Sequence, residues 1–141
     1  MKFFICYRFR NSSNKTVLKE RLTIISELLE KRGHKTYIHW RDDQNWKTNL
    51  SGQKPINIIS KAFAKIYESD FILAFVESGK TSEGMLLELG YGYALQKKIL
   101  LAYSGILPPK YLTAIANKFI NFTNFKTLIN SLDKINFEEI K

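Results

Sequence analysis

Cysteine is nearly absent: Cys6 is the single one in 141 residues. No internal disulfide is therefore available, and a small buried thiol inside an apolar run is its ordinary role. Three prolines and seven glycines are too few and too dispersed for a linker, a low-complexity tract or an internal repeat. Long apolar runs are missing too. Nothing reaches the length of a membrane span, and residues 1–8 return to positive charge too soon for a secretory signal. The two histidines, His34 and His39, flank a short strand without the cysteine or carboxylate spacing of a zinc site. The adjacent Asp42 and Asp43 read as a turn rather than a magnesium site. A reducing, cytoplasmic setting is expected, with no metal and no tightly bound cofactor.

Acidic residues are also scarce, 13 against 22 Lys and Arg, for a net charge of +9. That balance favours anionic partners. The lysines, however, are scattered (Lys15, Lys19, Lys31, Lys35, Lys47, Lys54, Lys61, Lys65) instead of forming the stripe a nucleic-acid surface presents. A solvated surface serving a small anionic ligand is expected, with no nucleic acid and no membrane. What is present is the composition of an ordered protein, 45% hydrophobic and 13% aromatic, of a size for one domain over residues 1–141.

Three continuous apolar runs of strand length, residues 3–7, 71–76 and 99–103, suit strands covered on both faces. Shorter strands are predicted over 35–40 and 118–122. Between them Leu18, Leu22, Ile25 and Leu29 recur at helical spacing, with Gly33 placed to end the helix. Ile56, Ile59, Phe63 and Ile66 do the same after Pro55, a favoured first-turn residue. A third helix is predicted from Ser82, as N-cap, to Lys97, with Gly90 and Gly92 permitting close approach to a sheet. Further helices are expected from Pro109 and after Asn124, the last with Phe125, Leu128, Ile129 and Leu132 on one face.

Strand and helix alternate, which predicts a doubly wound α/β domain of the flavodoxin-like kind: a five-stranded parallel sheet with helices on both faces. Ligands of such sheets collect beyond the carboxyl ends of the strands where strand order reverses. For the order 2-1-3-4-5 that crevice lies between Tyr7, Arg8, Arg10, Asn11 and Ser12 on one side and residues 77–84 on the other. Glu88 stands about one turn into the helix that follows.

Glu88 interrupts the otherwise apolar stretch Met85-Leu86-Leu87-Glu88-Leu89-Gly90-Tyr91. A carboxyl among aliphatic neighbours is disfavoured in its charged form, and perturbed groups of this kind concentrate where chemistry happens. Two readings follow. Glu88 is a nucleophile for an anomeric carbon, or it is a half-exposed helix residue whose charge meets solvent, Arg8 or Lys98. Ser82 with the amides of Glu83 and Gly84 opens a helix N-terminus suited to phosphate, or is a plain N-cap with a turn glycine. Arg8 and Arg10 are candidate phosphate forks. The polar connection over residues 40–53 has the character of a lid, in which Trp46 either stacks on a base or covers an edge of the core.

The run Ser82-Glu83-Gly84-Met85-Leu86-Leu87-Glu88-Leu89-Gly90-Tyr91, continuing to Ala94 and Lys98-Ile99-Leu100, resembles the signature of the nucleoside 2-deoxyribosyltransferase family and its relatives, the 2'-deoxynucleoside 5'-phosphate N-hydrolases. The resemblance puts Glu88 in the place of the glycosyl-accepting nucleophile, and Ser82 where the phosphate-preferring hydrolases have serine. Two positions depart from it. The aspartate expected eight residues before Asp70 is Ala62, and the aromatic hydroxyl expected within the first strand is Phe4, with Tyr7 shifted to its end. The chain is also similar to TIR domains, some of which cleave NAD, in residues 4–8, in the second strand after Gly33 and in the spacing from Ser82 to Glu88.

Together these readings imply an N-glycosidase acting on a nucleotide, as nucleoside 5'-monophosphate hydrolase or deoxyribosyltransferase. The alternatives are NAD cleavage of the TIR type, in which NAD is the substrate, and a non-catalytic nucleotide-sensing or interaction module. By the resemblance a homo-oligomer, such as a dimer, is expected, with Phe119, Phe122 and Phe125 as surface for the partner.

Overall fold

The computed structural model describes residues 1–9, 14–49, 52–105 and 107–141. Five parallel strands form one sheet: β1 (Lys2–Tyr7), β2 (Lys35–Ile38), β3 (Phe71–Val76), β4 (Lys98–Tyr103) and β5 (Lys118–Asn121), in the order β2-β1-β3-β4-β5. The central strands are sequestered on both faces, β3 at all six positions, which is why their sequences run apolar without alternation. The doubly wound prediction holds, with the predicted strand order.

The helices divide between the two faces. On one, α1 (Lys15–Lys31) and α6 (Phe125–Lys134) pack over Phe3, Ile5, Phe71, Leu73 and Phe75. The predicted stripe Leu18, Leu22, Ile25 and Leu29 is buried there. Asn14 caps α1 by accepting from the Val17 amide at 3.1 Å, and Asn124 closes a capping box with Thr127 at the start of α6, as the residue types favour. Arg32 fastens the two helices: its guanidinium donates to the carbonyls of Leu132 (2.6 Å) and Ile135 (2.5 Å) and lies over Phe137.

On the opposite face, α3 (Pro55–Glu68), α4 (Glu83–Ala94) and α5 (Lys110–Ile115) pack over Phe4, Cys6, Ile72, Ala74, Ile99 and Leu101. Gly92 makes the close contact expected of it, since a Cβ there would lie 2.0 Å from Ile72 Cδ1. Gly90 does not: it is exposed, with nothing within 4 Å of a Cβ. Other boundaries also move. The second strand ends at Ile38, and His39–Asp42 form a short helix, α2, because the Asp42 carboxylate accepts from the Ile38 amide at 2.9 Å and turns the chain. Helix α4 stops at Ala94, with Gln96 at φ 59°. Ile56 is 64% exposed and leaves the buried stripe of α3 to Ala62 and Ile66. No helix among the described residues is long and apolar enough to cross a membrane.

Candidate active site

Residues Met85, Glu88, Leu89 and Gly92 stand at the i, i+3, i+4 and i+7 spacing that forms one face of a helix. Met85, Leu89 and Gly92 are buried against the sheet, so α4 carries a carboxylate within its sheet-facing stripe. Ser82 starts the helix as N-cap, its Oγ accepting from the Met85 amide at 3.3 Å. That leaves the hydroxyl proton free to be donated. Gly84 is exposed, and a Cβ there would meet only Ser82 Oγ at 4.0 Å, so the helix entrance is open to a ligand.

The carboxyl of Glu88 meets the end of β1. Cys6 Sγ donates to Glu88 Oε1 at 3.6 Å and lies 3.9 Å from the Met85 carbonyl. Glu88 keeps part of its surface exposed, while burial of its carboxyl pushes its pKa up to about 8, the thiol contact pulling slightly the other way. The Cys6 thiol is raised in turn, by burial first and then by the charge and hydrogen bond of Glu88. Among the described residues no cation pairs with Glu88. Lys98 instead reaches the Ile140 carbonyl at the other end of its strand, and Arg8 lies part-buried at the mouth of β1 without an ion pair to this carboxylate. Neither proposed ion pair forms, with Arg8 or with Lys98: the carboxyl meets the Cys6 thiol instead, and burial is the chief cause that disfavours its charged form.

The remaining predicted residues fall around this point unevenly. Tyr7 belongs to the other face of the sheet, packing with the α1 cluster, and its hydroxyl accepts from the Trp40 amide at 2.8 Å. It senses Glu88 electrostatically. Trp46 packs edge-on against Trp40, 5.0 Å between ring centres, under the Lys19 ammonium, so it covers an edge of the core. Arg10, Asn11 and Ser12 lie outside the described residues. The loop after β3 is held by Arg21 paired with Glu77 and by the Ser78 and Gly79 amides on Ser104. Ala62 is buried among Phe4, Ile66 and Met85 and offers no polar group.

Sequence reasoning missed two parts of this neighbourhood. Cys6 is one, because a strand apolar on both faces gives no alternation to say which residues point toward α4. The other is a chain of polar groups at the end of β2. Tyr37 Oη lies 3.0 Å from His39 Nδ1, His39 Nε2 lies 3.4 Å from Asp43 Oδ2, and Asp43 Oδ1 lies 3.2 Å from Lys61 Nζ. Asp43 and Lys61 also line a cavity of about 320 Å³ with Lys54, Asn57 and Ile58, of which Glu88 is not a wall. No group of three or more His, Cys, Asp or Glu suited to a metal ion occurs among the described residues.

A family model described as nucleoside 2-deoxyribosyltransferase matches residues 9–122. No curated protein matches. Among solved structures, the chain is similar to the CMP N-glycosidase of Clostridium botulinum, at 20% identity and TM-score 0.70 over 96% of this chain and 100% of that one. It is also similar to the 2-deoxyribosyltransferase of Bacillus psychrosaccharolyticus, at 15% identity and TM-score 0.72 over 99% and 96%. A conserved protein of Enterococcus faecalis shares 12% identity at TM-score 0.68 over 94% and 97%. At such identities the likeness is one of fold.

Proposed function

The chain belongs to the nucleoside 2-deoxyribosyltransferase family, and on that premise we propose that it cleaves the N-glycosidic bond of a nucleoside 5'-monophosphate with Glu88 as the nucleophile. One observation carries this reading: a desolvated carboxyl without a cation, aimed from the sheet-facing stripe of α4 at the mouth of β1. A carboxylate so placed attacks the anomeric carbon as the base departs, through an oxocarbenium-like transition state. It holds the sugar as an ester until water or another nucleoside takes it. Ser82, the first amides of α4 and Arg8, with Arg10 from the neighbouring segment, hold the phosphate. The chemistry draws on protein groups alone, so activity is expected to survive chelators. The partner is a nucleotide and, in a second proposal, another copy of the chain.

The test is release of free base from the four deoxyribonucleoside and four ribonucleoside 5'-monophosphates, followed by chromatography, beside release of nicotinamide from NAD. Base release that Glu88→Gln lowers by about 10³-fold or more, with substrate still bound, supports the reading. Nicotinamide release alone would replace it with NAD cleavage. Nucleotide binding that is equal in both proteins, with no turnover of any substrate, would replace it with a sensing module.

A further inference from the structure

A nucleophilic carboxylate has two oxygens, and only one of them bonds to the anomeric carbon. The structure treats the two of Glu88 differently. Oε1 faces β1, where Cys6 Sγ lies 3.6 Å away; Oε2 has no hydrogen-bond partner among the described residues. Cys6 is 1% exposed and is the single cysteine of the chain. Its backbone is held in the centre of the sheet, in register with Ala74 of β3.

A thiol has one proton, and two acceptors stand near this one. The Met85 carbonyl lies 3.9 Å from Sγ, and inside α4 it already faces the amide four residues on. The carboxylate is nearer, and a bond to an ionised acceptor is about twice as strong as a neutral one. The proton stays on sulfur beside it, because burial first, and then the charge and hydrogen bond of Glu88, push the thiol pKa up. No other side chain of β1 competes for the carboxyl. Tyr7 packs on the opposite face, its hydroxyl accepting from the Trp40 amide, and Phe4 has no donor. Tyr7 and Tyr37, the latter stacked on Phe4, feel the Glu88 charge without a hydrogen bond to it. Cys6 is the titratable group that touches it.

We infer that Cys6 is a positioning residue for the nucleophile: its S–H holds Oε1 and so presents Oε2 to the anomeric carbon. This rests on the proposed nucleophilic role of Glu88. In the first step a bond forms between Oε2 and the anomeric carbon as the carbon–nitrogen bond breaks. The electron pair of that bond leaves with the base, which takes a proton from water. In the ester Oε1 is the carbonyl oxygen and still accepts from the thiol. In the second step water attacks the same carbon and gives its proton to solvent. The bond from Oε2 breaks, and its electron pair returns to the carboxylate. The thiol keeps its proton throughout, so Cys6 acts through Glu88 alone.

The experiment has two arms. The first measures kcat and KM of wild type, Cys6→Ala, Cys6→Val, Cys6→Ser and Glu88→Gln on the nucleoside 5'-monophosphate cleaved fastest. Rates are compared on the high-pH plateau of each variant, where Glu88 is ionised and only its aim differs. A misplaced reacting group loses on the order of 10–10²-fold. Cys6→Ala, which removes the donor, and Cys6→Val, which removes it while keeping the space filled, are expected to lose that factor in kcat with KM within a few-fold. Cys6→Ser, which keeps a donor, is expected to recover part of it. Thermal melts beside the rates separate unfolding from misplacement. The second arm leaves Cys6 in place and follows its S–H stretching band, the only one in the chain, by Raman spectroscopy from pH 6 to pH 10. The band is expected to move to lower wavenumber as Glu88 ionises, and to stay still in Glu88→Gln. A wild-type band that does not move, or that vanishes over this range, overturns the inference. So do folded Cys6→Ala and Cys6→Val proteins with wild-type kcat, or a Cys6→Ser protein no faster than Cys6→Ala; in each of these cases Glu88 remains the nucleophile. Full turnover by Glu88→Gln, or no base release by wild type from any 5'-monophosphate, removes the nucleophile and its positioning residue together.

Discussion

At the scale of the residue, the chemistry turns on how protein surroundings set the ionisation of one carboxyl. Glu88 binds its proton up to about pH 8 when folded, against an ordinary value of 4.5. A pKa raised on folding means the native state binds the proton more tightly than the unfolded chain. The stability it contributes is complete below about pH 4.5 and is lost as pH rises through about 8. A pKa difference of one between folded and unfolded chain corresponds to about 1.4 kcal/mol. Glu88→Gln is therefore expected to match wild type near pH 4.5 and exceed it by a few kcal/mol at pH 9, measured by urea unfolding at both. The same raised value predicts a rising limb in kcat/KM that approaches its plateau above pH 8, since the attacking form is the carboxylate. Cys6 tunes that limb. A donor to the carboxylate favours the charged form, so Cys6→Ser, with the stronger hydroxyl donor, is expected to move the limb to lower pH and Cys6→Ala to higher pH. A pH–rate profile in which both variants coincide with wild type would show that the thiol contact has no such effect.

At the scale of the element, α4 joins the site to the core. Its two central glycines look alike in sequence and differ in place. Gly92→Ala would drive a methyl against Ile72 and toward Ile66, and overpacking of that kind costs about 1–3 kcal/mol. Gly90→Ala meets nothing and should gain up to about 1 kcal/mol from helix propensity. Denaturant unfolding of the pair checks the contrast: destabilisation by the first and none by the second. Elements with strong periodicity and cap residues, α1 and α6 above all, could be read directly because their local signals agree with their burial. The end of β2 could not, since residues 35–40 run strand-like until the Asp42 side chain captures the Ile38 amide. That helical turn is what brings His39 and Asp43 beside Tyr37.

At the scale of the whole molecule, the two faces of the sheet have different tasks. One is closed by α1, α6 and the aromatic cluster around Phe137; the other carries Cys6, Tyr37, Ala62 and Glu88. Phe122 and Phe125, expected as surface for a partner, are packed against Phe75 instead, and of that trio Phe119 alone is exposed, at 38%. Exposed apolar side chains sit on α4: Leu87 at 53% and Tyr93 at 57%, with Leu86 beside them. A second copy of the chain covering this helix is the expected partner. Light scattering at micromolar concentration should give a dimer that Leu87→Lys and Tyr93→Lys convert to monomer, and a wild-type monomer would count against it.

The amino-acid order by itself determined the alternation of strand and helix, the doubly wound sheet and the singular position of Glu88. Each of these follows from local pattern: apolar runs, helical spacing, caps, and a charge where none is cheap. Only the tertiary structure decided which groups meet that carboxyl. Strands covered on both faces carry no mark of which side a residue such as Cys6 or Tyr37 faces. Nor does the chain sequence reveal that Lys98, a cation ten residues further along the chain, lies at the other end of its strand and donates to the Ile140 carbonyl. Contacts between residues as distant in sequence as Cys6 and Glu88 are set by sheet register and helix docking, and these are properties of the packed whole.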